Sequence, residues 1–554
     1  MLGAMMEFPL TLTHVADRAR RLFPTVEVVS RQADKSIHRT NYGTLIDRAL
    51  RLADALQKAG LRRGDRVGTL MWNHALHVEA YFGIPLSGGV LHTLNLRLHA
   101  DDLSFIATHA HDRFLIVDEV LLPLLEKFRA RAPFERVFVV RSSAAKLPAG
   151  CDDYEALLAT GAAGFTPPVF DENEACGLCY TSGTTGAPKG ALYSHRSTVL
   201  HSLVVALGDS LDLRGRDTML PVVPMFHVNA WGLPYAAALV GARQVHPGPH
   251  LDAQSLLALF EQEKVTVAAG VPTVWMGVVE ALEKEPARWK LQPGLRMVIG
   301  GSAASRGLVT GLEKHGLRPI HAWGMTEMSP VGTVAQLSGA QLLRPPDEQL
   351  RLRLKQGTQV PLVELRAIDE SSHEVPWDGK TQGELQVRGP FVAARYFENE
   401  AASQERWSKD GWFLTGDVVT IDAEGFVEIT DRSKDLVKSG GEWISTVALE
   451  NALMGHPAIK EAAVVAIAHA KWAERPLAAI VFKDGKSATD VELAAFLGQS
   501  FARFQVPDAF VTVEAIPRTS TGKFLKSALR ARFKDWVWQP PPWQSQRSDT
   551  GQAK

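Results

Sequence analysis

The chain has 554 residues, 45% apolar and 22% charged, with 60 Lys and Arg against 61 Asp and Glu and a net charge of -1. That length exceeds one ordinary core and predicts two or more domains. The even charge balance offers no basic surface for nucleic acid or an anionic membrane, and three cysteines exclude a disulfide framework.

Met1 to Pro9 has no basic segment leading into an apolar core, so no signal peptide is expected and a cytoplasmic location is the default. No stretch nears the roughly 20 apolar residues of a transmembrane segment. The most apolar region, Pro221 to Ala242, is broken by three prolines, His227 and Asn229. Leu45 to Ala59 carries Leu45, Ile46, Ala49, Leu52, Ala53 and Leu56 at helical spacing, with Gly60 to end it. Arg66 to Met71 reads as a strand, Asp101 as the cap of a helix running to about Ala110, and Arg113 to Val117 and Arg136 to Val140 as further strands. Strands separated by helices predict a parallel or mixed sheet covered on both faces.

Ala175 to Tyr180 reads as a buried strand, and a helix is expected from about Ser197. Cys176 and Cys179 form C-x-x-C inside that strand. Residues three apart in a strand face opposite sides, so the pair predicts core packing and not a metal or a disulfide. Between strand and helix lies Y-T-S-G-T-T-G-A-P-K-G, Tyr180 to Gly190. Gly183 and Gly186 let backbone approach a ligand closely. N–H groups and the hydroxyls of Thr181, Ser182, Thr184 and Thr185 can donate to phosphate oxygens, and Lys189 adds positive charge. The string is not a Walker loop, which requires Gly-Lys followed by Ser or Thr.

Further on, Pro224 to Pro234 places His227, Asn229 and Trp231 in an apolar, proline-bounded stretch. Met297 to Ile299 reads as a strand ending in G-G-S-A-A-S, where Ala304 stands in place of the second glycine of a hydrolase elbow. H-A-W-G-M-T-E, His321 to Glu327, offers an indole that can stack on a purine, a threonine that can donate to phosphate and a carboxylate that can hold a divalent cation. Gly383 to Arg388 reads as a strand, and Val418 to Ile421 with Phe426 to Ile429 as a hairpin around D-A-E-G. Just before that hairpin, the carboxylate of Asp417 in T-G-D can accept both hydroxyls of a ribose.

A basic stretch, Asp431 to Ser445, follows. The last part reads as a compact α+β unit, with strands Ala462 to Ile467, Ala478 to Phe482 and Phe510 to Val513 and a capping box of Thr489 and Glu492. P-R-T-S-T-G-K-F-L-K sets Lys523 after a Thr-Gly turn and before a helix. Residues 539–554, with P-P-P and then a polar run, are predicted to be disordered.

The Tyr180 to Gly190 string resembles the phosphate loop of the adenylate-forming superfamily: acyl-CoA synthetases, luciferases and peptide-synthetase adenylation domains. The other motifs match that family in order, and the resemblance covers nearly the whole chain. It implies an α/β fold, with a large N-terminal domain of sheets flanked by helices (1–431), a hinge (432–434) and a small mobile α+β C-terminal domain (435–538). It also implies ATP and CoA as co-substrates, Mg²⁺ as cofactor and a homodimer.

By the same resemblance, Thr181, Ser182, Gly183, Thr184, Thr185, Gly186 and Lys189 hold phosphates, and Thr184 and Glu327 hold the metal. Gly301, Ser302, Ala303, Ala322, Trp323, Gly324 and Thr326 contact the nucleotide, with Trp323 where the family has Tyr. Asp417 and Arg432 match the ribose contacts. Lys434 matches the pivot, and Lys523 a catalytic lysine that enters the site for adenylation. His227 matches a residue between acyl pocket and thiol tunnel. Asn229, Trp231, Gly301, Lys438, Gly440, Gly441, Glu442 and Trp443 match the acyl and CoA tunnels.

F-H-V-N-A-W-G-L-P-Y-A-A looks like bacterial medium- and long-chain fatty acyl-CoA synthetases, in which the tryptophan gates the acyl tunnel. The expected reaction joins a carboxylic acid to CoA through an acyl-adenylate, with release of pyrophosphate and then AMP. Medium- or long-chain fatty acids are the first expectation. A short or sulfur-containing acid such as 3-methylthiopropionate is the alternative. Other readings are a carrier-protein acceptor, an adenylate as the final product, an ATP-independent acyl-ester hydrolase and a non-catalytic nucleotide sensor.

Overall fold

The structure is a computed structural model that describes residues 3–181, 187–432, 434–439, 442–519, 523–539 and 541, with backbone alone at 442 and 443. Two large sheets form the N-terminal part. The first has seven strands in the order Asp152–Asp153, Arg136–Val140, Asp112–Asp118, Arg66–Leu70, Val90–Thr93, Ala175–Tyr180, Gly190–Ser194, all parallel except the last. The second has nine strands, with a parallel centre running from Arg318–Gly324 through Arg296–Ile299, Val267–Gly270, Thr218–Pro221 and Arg243–His246 to Glu27–Arg31. An antiparallel edge strand, Ile37–Asn41, closes one side.

Helices fill the space between these sheets. Ala75–Leu86 is mostly apolar, with every residue but Leu76 buried and Glu79 paired to Arg48, as expected for a helix without a solvent face. It packs on Tyr42–Lys58 at Gly83, where an added Cβ would stand 2.6 Å from Leu52 and 3.0 Å from the Ala49 carbonyl. Each fully buried Leu in such a layer contributes about 1.5–3 kcal/mol. A four-stranded antiparallel sheet follows, Glu364–Ile368, Gly383–Arg388, Phe413–Ile421 and Val427–Arg432. The C-terminal part is a five-stranded sheet built on the pair Ile459–His469 and Ala473–Phe482, with helices Thr446–Met454 and Asp490–Leu497 on one face and Lys526–Arg532 on the other. The expected α/β class, with a larger N-terminal and a smaller C-terminal part, is what the chain forms. Among the described residues, no helix is long and apolar enough to cross a membrane.

Several expectations need correction. The helix after the glycine-rich string begins at His195, capped by Ser194 with Ser197, and a strand, Gly190–Ser194, intervenes. The string is therefore a hairpin connection between antiparallel strands, not a strand-to-helix loop. Asp101 sits inside the helix Ala100–His109, whose cap is His99. T-G-D does not precede a hairpin strand. It lies within Phe413–Ile421, where Gly416 at φ 74° accompanies irregular pairing with both neighbouring strands. A bulge at the start of Ala175–Tyr180 breaks the alternation, so Cys176 and Cys179 reach the same apolar cluster as free thiols. The strand Ile459–His469 extends past Ala462 and Ile467 at both ends, and Ala473–Phe482 begins before Ala478. The capping box of Thr489 and Glu492 is present.

Candidate active site

A cleft of about 260 Å³ opens where three separate pieces of chain meet: the Gly301–Ala303 turn, the Ala322–Gly324 strand end and the Asp417–Arg432 pair. Asp417 and Arg432 are directly opposed across neighbouring strands, so their ion pair, Arg432 Nε to Asp417 Oδ1 at 2.9 Å, follows from register. The Trp323 indole Nε1 donates to the other oxygen, Oδ2, also at 2.9 Å. The carboxylate is 2% exposed, held from two sides with lone pairs left over on both oxygens. Asp417 keeps the Arg432 guanidinium above its usual range against the opposing effect of burial.

Lys523 reaches this cleft from the C-terminal part. A Cβ built on Gly301 would lie 3.7 Å from Lys523 Cε. Burial, with Arg432 adding repulsion, pushes the Lys523 ammonium down to about 8 despite Asp417 and Glu327. Thr519 N donates to the Lys523 carbonyl at 2.7 Å, and Lys523 N to Thr519 Oγ1 at 3.1 Å. Lys434 and Asp435 line the same cleft. Below it, Lys526 pairs with Glu450 at 2.8 Å and donates to Thr446 at 2.6 Å, and Thr446 in turn donates to Asp431 at 2.6 Å. Arg530 pairs with Asp435.

A smaller hollow of about 60 Å³ joins the cleft and is lined by His227, Trp231, Gly300, Thr326 and Lys523 among others. Burial pushes the His227 imidazole down to about 3, with Lys523 and Arg97 contributing, so it is neutral at physiological pH. Val228, Asn229, Ala230 and Trp231 all have positive φ, 47° to 58°. A left-handed run of L-residues costs about 1–2 kcal/mol per residue, and Val is β-branched besides. The turn is held because Asn229 Oδ1 accepts from Cys179 Sγ (3.2 Å) and Thr93 Oγ1 (3.5 Å). Asn229 is thus the buried anchor of the turn, not a lining residue. The turn lays the Trp231 indole against Gly300, where a Cβ would come within 2.9 Å.

Ser182, Gly183, Thr184, Thr185, Gly186, Gly440 and Gly441 lie outside the described residues, as do the side chains of Glu442 and Trp443. Both ends of the glycine-rich string are described. Thr181 N donates to Lys189 O (2.9 Å) and Lys189 N to Thr181 Oγ1 (3.1 Å), which closes its neck. Lys438 is exposed on the strand Val437–Ser439, and its N–H donates to Glu474. Glu327 is 3% exposed on a short 3₁₀ turn, Thr326–Met328. That turn can form because Gly324 lets Pro330 O approach to 1.9 Å from where a Cβ would be.

Tyr396, which carries no motif, donates to Glu327 Oε1 at 2.6 Å. Sequence reasoning missed it because its partner is 69 residues away. Among the described residues, no group of three or more His, Cys, Asp or Glu could hold a metal ion, and Glu327 forms no ion pair. A buried carboxylate with no ion-pair partner among the described residues, linked through Tyr396 to Lys189 at the neck of the glycine-rich string, fits a hard cation that keeps waters and substrate phosphates as its other ligands.

Comparison with known proteins identifies the family. Residues 16–397 match the model of the AMP-binding enzyme family, and 448–523 that of the AMP-binding enzyme C-terminal domain. The chain is 49% identical over 534 residues to a long-chain-fatty-acid--CoA ligase of Thermus thermophilus, covering 96% of this chain and 97% of the relative. It is 45% identical to a 3-methylmercaptopropionyl-CoA ligase of Ruegeria lacuscaerulensis, over 97% and 99% of the two chains. A crystal structure of an anthranilate CoA ligase in complex with anthranoyl-AMP has the same fold, with a TM-score of 0.84 at 24% identity over 95% and 98% of the two chains. The chain belongs to the AMP-binding enzyme family.

Proposed function

We propose that this chain is an AMP-forming acyl-CoA ligase working in two half-reactions at the cleft. The observation that carries this reading is the entry of Lys523 into the space framed by Trp323, Asp417 and Arg432. The similarity to ligases of fatty and methylthio acids supports the reaction class. In the first half-reaction a substrate carboxylate oxygen attacks the α-phosphorus of ATP, and the bond to pyrophosphate breaks. In the second, the CoA sulfur attacks the acyl carbon, its proton leaves to solvent or a base, and AMP departs.

Trp323 stacks on the adenine, Asp417 accepts the ribose hydroxyls, and Arg432 holds Asp417 in place. Thr181, Lys189 and the intervening loop hold the phosphates. Lys523 donates to the oxygens that gain charge as carboxylate meets phosphate, an arrangement in which fixed charges do most of the catalytic work. Mg²⁺, held by Glu327 with Thr184, would supply further neutralisation of the polyphosphate. Neutral His227 borders the acyl carbon and adds no charge there.

In this reading residues 432–434 are a hinge, and turning about Lys434 replaces Lys523 by the 438–443 segment, a hinge motion of the kind that serves alternating steps. Residues 1–431 and 435–538 are then the two moving bodies, in a cytoplasmic homodimer. The hollow at Trp231 takes the carboxyl end of an acid, and an extended chain requires the indole to swing off Gly300. Medium- or long-chain fatty acids are the preferred substrates in this reading. The methylmercaptopropionyl-CoA ligase relative is the specific observation favouring a short sulfur-containing acid instead.

The test is AMP release by the purified protein with Mg-ATP, CoA and straight-chain acids of graded length, with 3-methylthiopropionate alongside. Each buried methylene adds about 0.8 kcal/mol, so a fatty-acid ligase shows kcat/KM rising steadily with length. A peak at short acids makes Trp231 a wall, and no AMP with any acid defeats the ligase reading.

A further inference from the structure

The segment that follows the four-stranded sheet's second strand touches both the turn Thr326–Met328 and the strand Gly190–Ser194, which also meet directly where the Tyr193 hydroxyl donates to the Thr326 carbonyl at 2.6 Å. Ala393 N donates to the Glu327 carbonyl at 2.7 Å, and four residues on Phe397 N donates to Gly190 O at 2.8 Å, beside Lys189. Between them stands Tyr396, 3% exposed. Its hydroxyl donates to Glu327 Oε1 at 2.6 Å. Its ring lies under the Lys189 ammonium, 5.2 Å from Nζ to the centroid.

One phenol therefore holds an anion by its edge and a cation by its face. Among the described residues Glu327 Oε2 has no hydrogen-bond donor, so the carboxylate is fixed by one oxygen and offers the other. We propose that Tyr396 is a positioning residue that sets Glu327 Oε2 toward a divalent cation and Lys189 toward the same polyphosphate chain. The proposal rests on reading this cleft as an ATP site.

Physical reasons make the arrangement more than packing. A carboxylate buried on a short turn has rotamers to choose from, and a strong charge-assisted bond to one oxygen selects among them. A lysine stem is flexible, and a ring face is attractive to its ammonium and narrows the volume it samples. The scaffold under Tyr396 does not need the hydroxyl. Tyr396 N donates to Ser403 Oγ at 3.0 Å, the ring meets Trp407 edge to face at 5.0 Å, and Trp407 Nε1 donates to Ala393 O at 2.8 Å. Tyr396→Phe keeps all of these, and the ring face for Lys189, and removes the hydroxyl's bond to Glu327 together with its contact to the Arg406 side chain. Tyr396→Leu removes the ring face as well.

The experiment uses the full chain and its Y396F, Y396L, E327Q and Y396F/E327Q variants, each checked for a cooperative thermal transition. The first readout needs no turnover: Mn²⁺ affinity in the presence of ATP and absence of acid, followed by the electron paramagnetic resonance of free Mn²⁺. Y396F is expected to weaken Mn²⁺ binding about tenfold, the size of one lost hydrogen bond to a charged group. Adding Y396F to E327Q should change nothing further. Y396L should in addition raise the ATP concentration for half-saturation several-fold over Y396F, about the loss of one cation–π contact.

The second readout is conversion of supplied acyl-AMP and CoA to thioester, which none of the Tyr396 variants should slow. Wild-type Mn²⁺ affinity in Y396F, or a Y396F defect that persists in full on the E327Q background, overturns the proposal while leaving the ligase reading intact. A wild-type protein that neither binds Mn²⁺ with ATP nor releases AMP with any acid overturns the ligase reading and this proposal with it.

Discussion

The two sides of the cleft are built differently. Trp323 and Arg432 stand near strand ends of two adjoining sheets and Asp417 in the middle of a strand, locked to one another by register and by two 2.9 Å contacts. Lys523 belongs to the C-terminal part, which makes polar contacts with the other side such as Thr446 with Asp431. Groups that hold a nucleotide through both half-reactions belong on an over-determined scaffold. In the proposed two-step reading, a group needed in only one step belongs on a body that can leave. Polar and water-exchangeable contacts suit a surface that must separate repeatedly, because its groups find partners in water when it parts.

The largest expected effect comes from the Lys523 side. Lys523→Ala should slow acyl-adenylate formation by a factor of about 10² to 10³ and leave conversion of supplied acyl-AMP by CoA near the wild-type rate, measured as two separate half-reactions. Equal loss in both would erase the contrast between the two sides. Gly300→Ala comes next. Its Cβ would meet the Trp231 indole at 2.9 Å, and overpacking of this kind costs about 1–3 kcal/mol. A thermal melt lowered by several degrees, with a shift of the preferred acid length, is the expected outcome. An unchanged melt and acid profile would mean that the indole does not rest on Gly300.

Trp323→Phe keeps a ring for the purine and deletes the N–H to Asp417, which Arg432 still holds. A rise of about tenfold in the KM for ATP is expected, with the KM for CoA unchanged. The smallest effect is in pH. Lys523 acts as an ammonium and its pKa is lowered to about 8, so the protonated, active form is complete below that value and is lost as pH rises through it. In the free enzyme kcat/KM for ATP should therefore fall about twofold by pH 8 and about tenfold by pH 9, in the reading that kcat/KM reports free-enzyme groups. Lys523→Arg should flatten that limb, because a guanidinium stays charged.

Much of the site was legible from local strings because several of them end a strand. A parallel sheet collects such ends along one edge, so Gly301 and Trp323 converge, whereas Asp417, in the middle of an antiparallel strand, reaches them by the packing of its sheet against Trp323. Other features were hidden for identifiable reasons. V-N-A-W has no glycine before Gly232, so nothing local announces a left-handed turn. That turn is imposed by Asn229 bonding to Thr93 and Cys179 from distant strands. Gly190–Ser194 was overlooked because its pairing with Ala175–Tyr180 is antiparallel at the edge of an otherwise parallel sheet. The bulge that places both thiols in one core is a pairing irregularity, which composition does not encode. Tyr396 acts through a partner 69 residues away and lies in no string that suggests chemistry.

The most direct test of the two-step account is a quench-flow experiment with enzyme in excess over a preferred acid, Mg-ATP present and CoA withheld. The account expects acyl-AMP and pyrophosphate to appear together, in amounts equal to the acid consumed, and then to be replaced by acyl-CoA and AMP when CoA is added. Pyrophosphate release that waits for CoA, or AMP that forms without a thioester, would contradict it.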